Sequence, residues 1–241
     1  MNLHATAPEL NFQVTGAEAV RFAAAPLLAL KLRIGASEGV PIHSILLRCQ
    51  INLEVARRRY NGEEQAKLFD LFGRPQEWGR TLRSMLWTHA DVSVQGFAGS
   101  TCVDLPVACS YDFNAAAVKY FDALEDGEVP LCLLFNGTIF YATPQNTLQV
   151  AQVPWEKEAS FPLPVRVWRE MMNHYHPNTA WIDLQKDIFD RLHEFKRRSG
   201  HVSWDQTVES LLASAAEAGR VEDPSRPGED ADRFLQKGGA R

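Results

Sequence analysis

The stretch Ile42–Val55, IHSILLRCQINLEV, decides the fold class, because apolar and polar residues alternate along most of its length. Successive side chains of a β-strand point to opposite faces of a sheet, so this period of two predicts a long strand with one face on a core and the other in water. The apolar positions are Ile45, Leu47, Cys49, Ile51, Leu53 and Val55, and the polar positions are Arg48, Gln50, Asn52 and Glu54.

Other short runs of the first two thirds of the chain also predict strands. The run LLALKLRI (27–34) is joined to the first stretch by the turn-rich GASEGVP (35–41), which predicts that the two strands pair antiparallel. The remaining runs are LNFQV (10–14), CVDLPVAC (102–109), VPLCLLF (129–135), GTIFYA (137–142), TLQVAQV (147–153) and SFPLPV (160–165). Many short strands separated by Gly and Pro predict a β-sandwich, immunoglobulin-like in general plan.

Helical insertions interrupt this β pattern. Asn61 and Glu64 have the spacing of a capping box, which predicts a helix that ends at Gly73. A second short helix is predicted from Trp78, Leu82 and Met85. A third, NAAAVKYFDAL (114–124), has Asp112 as its predicted cap.

The last third of the chain is predicted to be helical. Pro164 suits a helix start, and a first helix ends before Pro177; a second ends at Gly200, and a third opens with Ser203 and Gln206. After Arg220 few apolar residues remain, which predicts a disordered tail. The predicted organisation is a sandwich-like core with helical insertions (1–164), a helical C-terminal region packed on it (165–219) and the tail (220–241). The fold class is therefore α+β, mainly β.

Charge and hydropathy argue against nucleic-acid binding and membrane insertion. A net charge of −5 gives no field that attracts polyanions, so no nucleic-acid binding is expected. The N-terminal residues have neither a basic region nor an apolar run, which predicts a cytoplasmic protein. Residues 129–155 carry no charge, yet Pro130, Gly137 and Pro144 interrupt them, so they predict buried strands and no membrane insertion.

The sequence predicts neither a metal site nor a cofactor. Cys49, Cys102 and two further cysteines form no C-x-x-C pair, and no phosphate-binding or dinucleotide-binding glycine motif is present. His174 and His176 lie in MMNHYHPNTAW (171–181), but side chains two apart on a helix point about 200° apart and cannot share one metal ion. His174 is instead expected to lie in the last turn of a helix.

A hydrolase is the alternative function for this sequence. His43 or His89 could act with Asp91 or Glu156, provided that distant segments bring them together. No nucleophile-elbow or zinc-protease motif anchors such a site, so these four residues are candidates without a supporting pattern.

Partner-binding residues are predicted at two places. Arg57, Arg58, Arg59 and Tyr60 follow the longest strand, where they could contact a phosphate or an acidic protein surface; the alternative is that they keep the strand end soluble. Trp155 lies near the end of a predicted strand and is an interface candidate, since tryptophan is enriched at interfaces.

Four segments resemble an uncharacterised bacterial family that is classed as a domain of unknown function. They are IHSILLRCQI (42–51), LWTHADVSVQGFAGST (86–101), DLPVACSYDFNAAAVKYFDALEDGEVPL (104–131) and VPWEKEASFPLPVRVWREMMNHYHPNTAWIDL (153–184). The likeness covers about residues 8–213. Genes of this family often lie near those of aerobic uptake nickel–iron hydrogenases. The resemblance thus implies a non-catalytic binding or accessory protein, with hydrogenase subunits or maturation factors as partners.

Overall fold

Eight β-strands lie in the part of the chain that the structure describes. The structure is a computed structural model, which describes residues 7–37, 40–110, 114–143 and 147–217. The strands are β1 (Leu10–Ala19), β2 (Leu27–Ala36), β3 (Ile42–Leu53), β4 (Met85–Val94), β5 (Ser100–Ala108), β6 (Glu128–Ala142), β7 (Leu148–Gln152) and β8 (Glu158–Pro164).

The strands form two antiparallel sheets. The first sheet has the order β1-β2-β5, and the second has the order β4-β3-β6, with both β7 and β8 pairing with β6. The prediction that residues 27–34 pair with Ile42–Val55 is therefore wrong, because β2 and β3 belong to different sheets. β2 lies between β1 and β5, and β3 lies between β4 and β6.

The apolar faces of both sheets contribute to one core. The rings of Phe12 in β1 and Phe135 in β6 stack with their centroids 4.3 Å apart, which joins the two sheets. Ile45 and Ile51 of β3 are buried, while Arg48 between them is exposed. The alternation of β3 and the mainly β, sandwich-like fold are thus confirmed.

Helices lie between several of the strands and follow the last strand, β8. They are α1 (Gly62–Lys67), α2 (Phe69–Phe72), α3 (Trp78–Thr81), α4 (Ala115–Ala123), α5 (Val165–Tyr175), α6 (Lys186–Ser199) and α7 (Trp204–Glu217). Phe121 of α4 and Trp168 of α5 stack with ring centroids 4.3 Å apart. This contact ties the two helices to each other over the strands.

Local sequence signals set most of these helix ends. Asn61 and Glu64 form the predicted capping box, each side chain accepting a hydrogen bond from the other's backbone N–H. Helix α4 is capped by Asn114, whose side chain accepts from the Ala117 N–H. The predicted cap Asp112 lies outside the described residues. Because Asn114 is adjacent to the helix, it is placed to satisfy one of the first N–H groups.

Two strands differ from the sequence prediction. Met85, predicted to end a helix, begins strand β4, and the polypeptide then continues extended to Val94. Strand β6 continues through Asn136 and Gly137, where two strands were predicted. At Gly137, φ is +152°, and a Cβ would lie 2.1 Å from the carbonyl oxygen of Leu46. The missing side chain of Gly137 therefore lets β6 pass close to β3. The glycine does not end the strand.

The chain divides into two compact units, residues 1–180 and 181–241. Helix α5 belongs to the first unit, because Trp168, Met171 and Met172 are buried in its core. The predicted boundary after residue 164 differs from this division for that reason. The tail predicted for residues 220–241 lies outside the described residues. Among the described helices, none combines the length and the hydropathy that a membrane crossing requires.

Candidate partner-binding surface

The loop between β1 and β2 is held by the C-terminal end of α5. The Tyr175 hydroxyl donates a hydrogen bond to the Val20 carbonyl (2.6 Å) and accepts one from the Ala23 N–H (2.9 Å). The His174 ring lies beside it, with Nε2 2.8 Å from the carbonyl oxygen of Arg21. A carbonyl can only accept, so Nε2 carries the proton in this contact. The backbone of three loop residues, Val20, Arg21 and Ala23, is thereby fixed by two neighbouring side chains.

Helix α5 can hold this loop because it is itself fixed by burial. Trp168, Met171 and Tyr175 lie at i, i+3 and i+7, so they share one face, and the first two are fully buried. The helix begins at Val165 directly after Pro164 and ends at Tyr175, two residues before Pro177, as predicted. His174 therefore lies in the last turn of a helix, which confirms the prediction for its position.

Phe22 lies at the tip of the held loop and is 98% exposed. The residues around it, Val20, Arg21 and Ala23, form backbone hydrogen bonds with side chains of α5. An exposed aromatic ring on a fixed backbone loses little conformational entropy when it inserts into a pocket of another protein. Sequence reasoning missed Phe22, although an aromatic residue between a strand and the small residues AAAP (23–26) was a detectable signal.

A cavity of about 750 Å³ opens beside this loop, between the end of β1 and the exposed side of α5. Its lining includes residues of both charges: Glu18 and Arg21 from the β1 side, and Arg166 and Glu170 from α5. Glu18 forms an ion pair with Lys31, with Oε1 and Nζ 2.5 Å apart. Nη1 of Arg166 lies 3.9 Å from Oε1 of Glu170. An apolar side chain beside charged, solvent-accessible groups is the arrangement of an interface core with a polar rim.

The predicted arginine run is divided by the structure. Arg57 and Arg59 are exposed, whereas the side chain of Arg58 is 9% exposed and makes two hydrogen bonds, of 2.9 and 2.8 Å, to the carboxylate of Glu64. Tyr60 donates from its hydroxyl to the Val55 carbonyl at 2.7 Å. Arg58 therefore joins α1 to the segment before it, and Tyr60 holds that segment to Val55. A partner-binding role for Arg57, Arg58, Arg59 and Tyr60 stays a prediction.

The charges of the Arg58–Glu64 pair are stabilised by further contacts. Burial by itself raises the pKa of Glu64, but hydrogen bonds from Arg58 and from the backbone N–H groups of Glu125 and Asn61 outweigh burial and lower it. Burial raises the pKa of Tyr60, whose hydroxyl lies close to this pair. The cluster is thus an ionised carboxylate and guanidinium held inside the protein, with its hydrogen-bonding capacity used internally.

Trp155 lies on the turn between β7 and β8 and is 88% exposed. On the adjacent strand β7, Leu148 and Val150 are also exposed. β7 pairs with β6 on one side, and no described strand pairs with its other side. The predicted partner-binding residue Trp155 is thus exposed on the turn that follows the edge strand β7.

Two of the candidate catalytic residues come together, but their geometry does not form a relay. His89 and Asp91 lie on the exposed face of β4, two residues apart. Arg48 binds Asp91 with two hydrogen bonds of 2.7 and 3.0 Å, and these bonds lower the pKa of Asp91. Ser93 follows on the same face, so the carboxylate lies between the hydroxyl and the imidazole. In a catalytic triad the imidazole occupies the middle position.

The other two candidates lie elsewhere. His89 pairs with Gln50, and His43 is seven residues from Gln50 along β3, a distance of about 23 Å in an extended strand. His43 has Ser44 as a neighbour, with Nδ1 and Oγ 3.4 Å apart. Glu156 is exposed on the turn between β7 and β8. The structure does not gather the four residues, and the hydrolase alternative stays a prediction from the sequence.

Within residues 7–37, 40–110, 114–143 and 147–217, no three His, Cys, Asp or Glu side chains form a group that could hold a metal ion. Of the cysteines, Cys49 and Cys109 are buried and Cys102 is exposed. Burial raises the pKa of both buried thiols, which keeps them protonated.

Comparison with known proteins gives a family but no activity. No curated protein matches the chain. Among solved structures, a β-glucosidase from Kluyveromyces marxianus aligns with 10% identity and a TM-score of 0.24, over 65% of this chain and 15% of the enzyme. Agreement at that TM-score carries no argument about fold or function. The sequence model of a family of unknown function, DUF6084, matches residues 7–220, and the chain therefore belongs to that family.

Proposed function

We propose that this protein is a non-catalytic binding protein that recognises a protein partner with the loop around Phe22. The observation that carries the proposal is a ring that is 98% exposed on a backbone held by Tyr175 and His174. Exposure of a large apolar side chain is unfavourable in water by about 2 kcal/mol relative to burial. A partner pocket that receives Phe22 recovers this free energy.

The surroundings of Phe22 support a protein partner. The cavity beside the loop has Arg21 and Arg166 as cations and Glu18 and Glu170 as anions on its wall, so both signs of charge are available for a complementary surface. Such a rim adds specificity and association rate more than affinity. The greater part of the affinity is therefore expected from the aromatic anchor.

The identity of the partner follows from a different argument. The family resemblance implies gene neighbours that encode nickel–iron hydrogenases, and we extend the proposal to a hydrogenase subunit or maturation factor as the protein that is bound. The binding surface rests on the structure, whereas the partner class rests on the resemblance alone. The two parts can therefore fail separately.

The experiment is affinity purification of the tagged chain from its native host, grown with hydrogen as the electron donor, with co-purifying chains identified by mass spectrometry. The variant Phe22→Ala is expected to weaken the complex by at least about tenfold, as loss of an interface hot spot does. Phe69→Ala is the matched control, because Phe69 is also exposed and lies on α2.

Each outcome has a distinct meaning. A stoichiometric hydrogenase subunit or maturation factor that is lost with Phe22→Ala and kept with Phe69→Ala supports both parts. A different partner with the same dependence on Phe22 supports the surface and refutes the partner class. A complex that Phe22→Ala leaves intact and Trp155→Ala disrupts refutes the surface, since Trp155 lies on the turn that follows β7.

A further inference from the structure

The second compact unit contains a hairpin of two helices, α6 and α7. The Phe189 ring of α6 lies 5.5 Å from the Trp204 ring of α7, measured between centroids. Lys196 donates hydrogen bonds to the carbonyls of His201 and Val202 in the connection, at 2.8 and 2.9 Å. Its ammonium group also lies 5.6 Å from the centroid of the Trp204 ring. These contacts fix how the two helices meet.

The hairpin has almost no core of its own. Among the residues of α6 and α7 only Thr207 is buried. The large apolar side chains of the two helices that remain exposed are Ile188, Phe189, Trp204, Val208, Leu211 and Leu212. Helices of 14 residues are marginally stable in water unless an apolar face is covered. The exposed face therefore indicates a missing partner surface.

Outside the two helices, the described residues Ile182 and Val202 of the second unit are themselves exposed, by 74% and 86%, and so do not cover this face. Residues 218–241 contain only Val221, Phe234 and Leu235 as large apolar residues. A second copy of the hairpin, in contrast, offers an apolar face of equal size. Two helical hairpins that pack face to face form a four-helix bundle, a common arrangement for helices of this length.

Charge favours a second copy in particular. Helix α6 carries five Lys or Arg and three Asp or Glu, whereas α7 carries three Asp or Glu and neither Lys nor Arg. In a two-fold symmetric pair, any contact of α6 with the partner's α7 occurs twice. Each copy then places its more basic helix against the acidic helix of the other.

The charged residues that border the apolar face match in the same way. On α6, Arg191 is three residues from Ile188, and Arg198 three from Phe195, so both lie next to the apolar stripe. On α7, Asp205 is three residues before Val208, and Glu209 stands three before Leu212. The α7 border is acidic. On the α6 border Arg191 supplies a positive charge beside Arg198, which is already paired with Glu194 of the same helix at 2.7 Å.

We infer that the chain forms a homodimer through the α6–α7 hairpin, which pairs with a second copy in a four-helix bundle. Val208 and Leu212 lie in the buried seam, and the Arg191–Arg198 border faces the Asp205–Glu209 border of the second copy. This interface belongs to the second unit and does not depend on the Phe22 surface.

Sedimentation velocity and light scattering of the full chain, over a wide concentration range, test the dimer. The expected mass at high concentration is twice the chain mass of 27.1 kDa. Leu212→Glu is expected to raise the dissociation constant of the dimer at least about tenfold. Ala213→Glu is the matched control: it adds the same charge one position along, about 100° around α7 and farther from Val208, and is expected to keep the dimer.

A charge-reversal pair keeps the test decisive even where Leu212→Glu disturbs the helix. Arg191→Glu with Arg198→Glu gives an α6 variant, and Asp205→Lys with Glu209→Lys gives an α7 variant. Each is expected to dimerise poorly alone, and their mixture is expected to form more dimer than either. A monomeric mass at every concentration overturns the proposal. So does a monomer that sediments with anionic phospholipid vesicles, because the apolar face then belongs to a membrane surface.

Discussion

Two bidentate ion pairs differ in burial, and this difference predicts a large difference in their contribution to stability. Arg58 and Glu64 make two parallel hydrogen bonds, and their side chains are 9% and 4% exposed. Arg48 and Asp91 also make two parallel bonds, but their side chains are 58% and 60% exposed. Geometry alone would rank the two pairs as equal.

The perturbation is Glu64→Gln, which removes one charge and keeps the side-chain size. It leaves the guanidinium of Arg58 buried without its counter-charge, and removal of one partner from a buried pair costs about 3–5 kcal/mol. Glu64 also accepts from the backbone N–H groups of Asn61 and Glu125, at 3.1 and 3.0 Å. We therefore expect the free energy of unfolding to fall by about 3 kcal/mol or more.

The assay is urea unfolding followed by circular dichroism, with Asp91→Asn as the matched control. Water screens the exposed pair, so Asp91→Asn is expected to cost much less than Glu64→Gln. Arg58→Met combined with Glu64→Gln should recover part of the loss, because no buried charge then remains. Equal losses for Glu64→Gln and Asp91→Asn would refute the reasoning that burial decides.

The same pair makes stability depend on pH. The pKa of Glu64 is lower in the folded than in the unfolded chain, so its contribution is fully present above the unfolded pKa of about 4.3. That contribution decreases as the pH falls through the folded pKa. The difference in unfolding free energy between the wild type and Glu64→Gln should therefore be constant near neutral pH and become smaller in acid.

Three further outcomes are expected. Tyr175→Phe should cost about 1 kcal/mol of unfolding free energy and speed amide exchange of the β1–β2 loop, measured by hydrogen–deuterium exchange; unchanged exchange would contradict the anchoring role. Gly137→Ala should cost about 2–3 kcal/mol in urea unfolding, because its Cβ meets backbone 2.1 Å away. In thiol titration with Ellman's reagent, Cys102 should react in the folded protein and Cys49 and Cys109 only after unfolding; rapid reaction of all thiols would contradict their burial.

Elements with a strong local signal could be predicted from the sequence. The alternation of β3 predicted a strand, and its burial pattern follows that alternation from Ile45 to Leu53. The capping box of Asn61 and Glu64 and the Ser203 cap of α7, which accepts from the Gln206 N–H at 3.1 Å, form as predicted. In each case the interactions that decide the structure lie within a few residues of each other.

Errors arose where tertiary contacts decide. Gly137 is a turn signal in the sequence, but in the fold its missing side chain admits the backbone of β3. β2 and β3 are neighbours in sequence, yet which strands pair depends on the packing of whole sheets. The sequence likewise does not show that Arg58 donates hydrogen bonds to Glu64, six residues away, and to the backbone carbonyl of Asp126; its predicted role in partner binding stays a prediction.

The candidate site was the hardest to predict because no motif marks it. His174 attracted attention as a possible ligand, but its role depends on Arg21, 153 residues away in sequence. Phe22 becomes informative only when its exposure and the fixed loop are known together. A binding site formed by an anchored loop has no characteristic residue spacing, so a single sequence does not reveal it.

Photo-crosslinking at position 22 tests the central claim most directly. A benzophenone analogue of phenylalanine replaces Phe22 in the tagged full-length chain in its native host, and position 69 receives the same analogue as the control. The account predicts that irradiation joins position 22, and not position 69, to the protein that co-purifies stoichiometrically with the wild type. A co-purifying protein that never crosslinks to position 22, while it does so to an analogue placed at position 155, would contradict the account.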